Sequence, residues 1–310
     1  MTGQRRKLAL ALASVYLIWG ASYAVTRVGV HALPPFLFGG LRFMAAGLLL
    51  GGISFALGNR PRLDRHELGH LWWVGLGSVA ISNGANVWSM QWIASNQSAL
   101  LNATAVLWIA VLSCFGPRAH ALDRKTVLGL LLGFAGIALV LLGTGRVKSA
   151  GGQAALLPEI VTLLGVVGWS LATVYLRNSP SRLDLLSFTG GQMFIGGVLL
   201  TIIGLAIGEA PRWHWSSAGL LAFLYMLLLS SVVAYTAFAW LAKNCKPAIV
   251  GSYGYVSPSL AALLGWWLLD EQLSTTQLAG MVIMLGGVAL ASWPSTRSAP
   301  ATTTNEGHGA

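Results

Sequence analysis

Apolar residues along this chain gather into long runs of about twenty, separated by short polar or charged connections. Ten such runs stand out, at roughly 8–26, 34–57, 69–93, 97–116, 126–143, 156–176, 186–208, 217–242, 247–269 and 275–293. A run of that length spans the hydrocarbon core of a bilayer. No water there satisfies unpaired backbone groups, so a spanning segment is a helix or part of a closed barrel. The runs are about twice the length of a barrel strand and do not alternate, so the pattern predicts an all-α polytopic membrane protein with ten transmembrane helices. The first run follows Arg5, Arg6 and Lys7 and continues through Trp19 to Val25, longer than a signal-peptide core, and reads as an uncleaved span. The Ser/Thr/Pro-rich tail over 294–310 is expected to be disordered and cytoplasmic.

Composition sharpens the class. Of 310 residues 55% are hydrophobic and only 9% are charged, too few to cover a water-facing surface all round. The net charge of +10 could suggest nucleic acid, but the basic residues form no continuous patch or stripe, so no nucleic-acid partner is expected. They fall in the connections instead. Arg5, Arg6, Lys7, Arg60, Arg62, Arg65, Arg118, Arg124, Lys125, Arg177, Arg182, Lys243, Lys246 and Arg297 share one side of the ten-span arrangement. Arg27, Arg146, Lys148 and Arg212 lie on the other, and Arg42 is inside a span. The fourteen-to-four bias places both termini in the cytoplasm of a cell inner membrane or plasma membrane. Cys114 and Cys245 then both lie toward the cytoplasm, far apart in sequence, where a disulfide is not expected.

The chain also repeats itself at a constant offset. Trp19 and Arg27 are matched 150 residues later by Trp169 and Arg177, and Leu41–Leu50 aligns with Gly191–Leu200 at the same spacing. Leu122, Gly129 and Gly136 match Leu273, Gly280 and Gly287 at an offset of 151. Each half, 8–143 and 156–293, holds five spans. An odd number per half turns the second upside down relative to the first. Inverted repeats are characteristic of transporters, with a substrate site near the midplane where the repeats meet.

The segments YLIWGASYAVTRVGV (Tyr16–Val30), PPFLFGGLRF (Pro34–Phe43) and GSYGYVSPSLAALLGWWLLDEQLS (Gly251–Ser274) are more specific. On these the chain resembles the EamA family of the drug/metabolite transporter superfamily, and within it the YedA-like inner-membrane permeases. The resemblance covers roughly residues 8–293. It implies two inverted five-helix repeats around a central cavity, and export of small metabolites or drugs. The family's fourth span usually carries a proline where this chain has Ala105-Val106, whereas Pro258 keeps it in the ninth. The acid that often ends that span survives only in the second half, as Glu271.

Polar groups inside spans are costly, which makes them informative. Asn83, Asn86 and Met90 share one face of the third span. Asn102 lies in the fourth, Tyr235 in the eighth, Tyr253 and Tyr255 in the ninth, Trp19 and Tyr23 in the first and Trp169 in the sixth. Together they predict a nearly uncharged cavity of rings and amides, suited to amino acids or amphipathic drugs handled by alternating access. The competing reading is that the amides bond helix to helix. Arg42, some 12 Å into the second span, needs a partner, which could be a substrate carboxylate, helix-end carbonyls or a protein acid. Asp270 and Glu271 are plausible protein partners for it, and this structural reading is preferred over a substrate role. Pro258 could act as a gating bend. Glycines such as Gly47 with Gly51, and Gly129, Gly133 and Gly136, read as packing positions.

One motif points to another class. His66-Glu67-Leu68-Gly69-His70 matches the zinc-protease signature, in which two histidines one helical turn apart bind metal and the glutamate is the base. It falls at the cytoplasmic start of the third span, and no third ligand lies at matching depth in a span, so a membrane-embedded zinc protease is the alternative reading only. No other motif asks for a cofactor or metal: there is no Walker loop and no Gly-x-Ser-x-Gly turn. The partners expected are a small-molecule substrate and the lipid bilayer.

Overall fold

The computed structural model of the protein describes residues 2–115, 122–144, 156–245, 249–250 and 252–292. The tail over 294–310 lies outside them. All regular structure among the described residues is helical. The first half runs α1 (Thr2–Ala32), α2 (Pro35–Ala56), α3 (Arg65–Val74), a π-helical stretch Gly75–Ile81, α4 (Ser82–Ser89), α5 (Ser95–Ala103), α6 (Ala105–Leu112) and α7 (Arg124–Thr144). The second runs α8 (Leu156–Asn178), α9 (Leu185–Ala206), α10 (Ser217–Leu224), a second π-helical stretch Tyr225–Ala234, α11 (Tyr235–Asn244), α12 (Tyr253–Leu269) and α13 (Thr275–Ser292).

Among the described residues, seven helical segments are long and apolar enough to cross a membrane: Gly3–Ala32, Pro35–Ala56, Ser95–Leu112, Arg124–Gly143, Leu156–Asn178, Leu185–Ala206 and Ser217–Leu241. The pattern of runs predicts ten. The third expected span is not among the seven: its residues form a continuous helical stretch from α3 through the π stretch to α4, in which Ser78, Ser82, Asn83, Asn86 and Ser89 dilute the hydropathy. The last two expected spans are shorter apolar helices, Val256–Leu269 and Thr275–Ala291. The first helix also continues to Ala32, so Arg27 sits on a helix and not in a loop.

Helix starts are held by carboxylates, often from the other half of the chain. Pro34-Pro35 sets the first turn of α2, and Glu209 accepts hydrogen bonds from the amides of Phe36 and Leu37 at 3.2 and 2.8 Å. Asp184 caps α9 through the amides of Leu186 and Ser187, both at 3.1 Å, and Ser54 of α2 donates to it at 2.8 Å. Asp64 caps α3 by accepting from the Glu67 amide at 2.8 Å.

The densest contacts between the halves run along two antiparallel helix pairs, α2 with α9 and α7 with α13, and α1, α4, α5, α6 and the first π stretch also pack on the second half. Lipid tails are as apolar as leucine, so such pairs hold by close packing, which small residues allow. A β-carbon on Gly40 would lie 2.6 Å from the Thr201 amide and one on Gly47 2.6 Å from the Gly190 carbonyl oxygen. On α7, β-carbons on Gly129 and Gly136 would lie 2.7 Å from the carbonyl oxygens of Gly287 and Gly280. A β-carbon on Gly133 would meet the Leu107 side chain of α6, while the Gly133 backbone lies against Gly287, and Gly51, one turn beyond Gly47, has open space where a side chain would go. Larger side chains fill the remaining gaps. Phe43, Leu50, Val79, Met193 and Leu200 form one buried cluster, and Leu107, Leu130, Ile137, Met284 and Val288 another.

Gly47→Ala puts a methyl group into the Gly190 backbone and is expected to destabilise the protein by about 1–3 kcal/mol. Gly51→Ala is expected to leave stability unchanged. Thermal unfolding of the two purified variants in detergent checks the difference. Equal melting temperatures would contradict the packing.

Candidate functional site

The two π-helical stretches start 150 residues apart, at Gly75 and Tyr225. A π turn widens the helix and leaves carbonyls poorly served by the regular ladder. In the first stretch the Asn83 side chain donates to the Ser78 carbonyl at 2.9 Å, while Ser78 Oγ donates to the Val74 carbonyl at 2.6 Å. In the second, Trp19 Nε1 donates to the Ser230 carbonyl at 3.4 Å. Local backbone irregularity thus fixes two of the side chains expected at the site.

These side chains surround a cavity of about 120 Å³. Trp19, Tyr23, Arg42, Asn83, Asn86, Asn102, Trp169, Tyr235, Tyr253 and Pro258 all line it, as do Ser22, Met90, Ser231 and Ser257. The side chain of Tyr255 lies outside the described residues. The rings form a connected box. Trp19 stands 5.8, 5.1 and 5.4 Å from Tyr235, Phe238 and Tyr253, and Trp169 stands 5.9 Å from Tyr235, mostly edge to face. Asn86 and Asn102 are bonded to each other at 3.3 Å, and Ser98 donates to Asn86 at 2.6 Å. Part of their capacity therefore ties α4 to α5, as the helix-to-helix reading anticipates.

Arg42 is 2% exposed and lines the cavity without an acid. The expected pairing with Asp270 or Glu271 is not formed. Asp270 occupies a left-handed turn (φ 51°) that ends α12 and swings Glu271 back onto the start of α5. There Glu271 accepts from the Ser95 and Asn96 amides at 2.7 and 3.0 Å and pairs with Arg27 at 3.3 Å. It lies away from the cavity lining and does structural work. Arg42 donates to Asn83 at 3.3 Å and lies 4.2 Å from the centre of the Phe43 ring, while its Nε has no hydrogen-bond partner among the described residues. A ring contact offers about 0.5–2 kcal/mol, against several kcal/mol for burying an unpaired cation. The residue is therefore undercompensated.

The zinc-like motif has another use. Glu67 is 2% exposed, and it accepts hydrogen bonds from the Ser181 hydroxyl and, at 2.9 Å, from the Arg182 amide, ahead of α9. The presumed base is thus a tie between the halves. His66 and His70 pack edge to face at 4.3 Å, and no cluster of three His, Cys, Asp or Glu able to hold a metal occurs among the described residues. Nothing supports the protease alternative.

The model of the EamA-like transporter family matches the chain twice, over residues 6–142 and 156–293. The chain belongs to that family. Among the relatives of this EamA protein is the uncharacterized inner membrane transporter YedA of Escherichia coli K12, 33% identical over 90% of this chain and 89% of that one. The uncharacterized transporter YoaV of Bacillus subtilis is 24% identical over 94% of this chain and 98% of its own. A solved crystal structure, 22% identical and covering 92% of this chain and 96% of that one, superposes with a TM-score of 0.65, which speaks to the fold alone. This EamA protein is a multi-pass membrane transporter and not an enzyme.

Sequence reasoning missed Phe238, Ser231 and both π stretches. It also anticipated no break in the fourth span without proline. Yet α5 and α6 part at Thr104, whose hydroxyl donates to the Leu101 carbonyl at 2.6 Å. A side-chain bond to the preceding turn competes with the regular ladder there.

Burial pushes the Glu67 carboxyl up, and the hydrogen bonds from Ser181 and Arg182 more than reverse this, leaving it below its ordinary value. A lowered folded-state value means stabilisation that is present at neutral pH and lost as pH falls through the ordinary carboxylate range and below. Glu67→Gln should therefore melt lower than the parent at pH 7, with the gap closing in acid. A gap independent of pH would contradict the role of its charge.

Proposed function

We propose that this EamA protein exports small metabolites, such as amino acids or amphipathic drugs, by alternating access around the aromatic cavity. In this reading it is a ten-helix protein of two inverted five-helix repeats, 8–143 and 156–293, followed by a cytoplasmic tail over 294–310. Both termini face the cytoplasm of an inner or plasma membrane.

The observation that carries the reading is the source of the cavity wall. Trp19 and Trp169, and residues in or just after the π stretches at Gly75 and Tyr225, come from equivalent places in the two halves and meet around one space. The register of the glycines supports it. Gly40 and Gly47 of α2 face Gly197 and Gly190 of α9, and Gly129 and Gly136 of α7 face Gly287 and Gly280 of α13. In both pairs each glycine's own repeat equivalent lies on the partner helix, the pattern of an inverted repeat about an axis in the membrane plane. Rocking of one half against the other along these seams would open the cavity to each side in turn. The excess of Lys and Arg on one set of connections supports the orientation. Export as the direction rests on the resemblance to the family.

Counterflow in proteoliposomes tests the reading, with labelled amino acids and amphipathic drugs added outside and unlabelled solute preloaded. Saturable uptake stimulated by the preloaded solute is expected, and Trp19→Ala should raise its KM roughly tenfold through a lost ring contact. Flux that rises linearly with concentration and ignores the preloaded solute would mark a passive channel and contradict alternating access.

A further inference from the structure

We infer that the cavity holds its substrate by an anionic group, a carboxylate, docked on Arg42, with the apolar body of the solute against the ring box. This rests on the transporter reading and narrows it: cationic amphiphiles and neutral solutes are not carried.

Three observations converge. The guanidinium is the one charge among the described residues lining the cavity, and it is buried at 2% exposure. Its single hydrogen bond among the described residues goes to a neutral amide, Asn83, so most of its five donors are unanswered. Ser231 and Ser257 also line the cavity, and their buried hydroxyls lack partners among the described residues. Unanswered donors around one cavity fit an acceptor-only group, and a planar guanidinium fits a carboxylate with two parallel bonds.

The buried acids that could have neutralised Arg42 are engaged elsewhere, among them Glu159, which accepts from Gln97. Glu67 receives Ser181 and Arg182, Asp184 and Glu209 hold the starts of α9 and α2, and Glu271 is paired with Arg27. None of them lines the cavity. A cation entering this space meets an uncompensated like charge at low dielectric, whereas an anion removes it. A zwitterion is admitted, because its ammonium can lie on the faces of Trp19, Trp169 or Tyr253.

The test is counterflow of three solutes that share a phenyl ring: hippurate, an anion; phenylalanine, a zwitterion; and benzyltrimethylammonium, a permanent cation. Trans-stimulated uptake of one or both carboxylates and not of the cation is expected. Arg42→Gln should abolish it, and Arg42→Lys, which keeps the charge but not the fork, should raise KM by tenfold or more. A single size-exclusion peak and an unshifted melting temperature identify folded variants. If Arg42→Gln does not fold, Arg42→Lys and the three-solute comparison decide. Uptake of the cation equal to or above that of the carboxylates, or a folded Arg42→Gln with KM within twofold of the parent, overturns the anion site and leaves the carrier standing. Linear, unstimulated flux of all three overturns the carrier as well.

Discussion

Everything in this fold hangs on how closely two pairs of helices can approach in a solvent that gives them no hydrophobic reason to associate. Lipid competes equally for any apolar face, so α2 against α9 and α7 against α13 hold through backbone-to-backbone contact that glycines alone permit. These pairs are the tightest of the seams between the halves. Between them the remaining helices need not close completely, and the space left is the cavity.

The charged residues follow from the same setting. A carboxylate in or near a membrane needs donors, and free helix N-termini need acceptors. Glu209 on α2 and Glu271 on α5 meet both demands at once, in each case between elements of different halves, and Glu67 does the same for the backbone ahead of α9. The acids are thereby drawn away from the cavity, and Arg42 is left there with rings, amides and hydroxyls. The charge of the cavity is thus a consequence of where the helix starts lie.

Much of this was legible in the sequence because it depends on composition, depth and period. Helical membrane segments, the constant offset and the ring and amide residues of the cavity can be read from apolar runs and from polar residues inside them. The partners of charges could not be read. Asp270 and Glu271 lie beside the ninth span, but a left-handed turn at Asp270, invisible to hydropathy, directs Glu271 onto α5 and Arg27. The π stretches were equally hidden, since a widened turn leaves composition unchanged while rotating the residues that follow. At Thr104 the turn between α5 and α6 is tightened by a hydroxyl bond to the Leu101 carbonyl, in a span that lacks the proline usual in the family. The His66-Glu67-x-x-His70 match misled because a spacing says nothing of what already occupies the carboxylate.

The central claim is that the cavity between the halves is reached from both sides of the membrane. Ser22 lines it, and its hydroxyl donates within α1, to the Trp19 carbonyl at 2.8 Å. The direct measurement is the reaction of Ser22→Cys, with Cys114 and Cys245 replaced by serine, toward a membrane-impermeant maleimide in right-side-out and inside-out vesicles. The account predicts labelling in both preparations. Labelling from one side alone would contradict it.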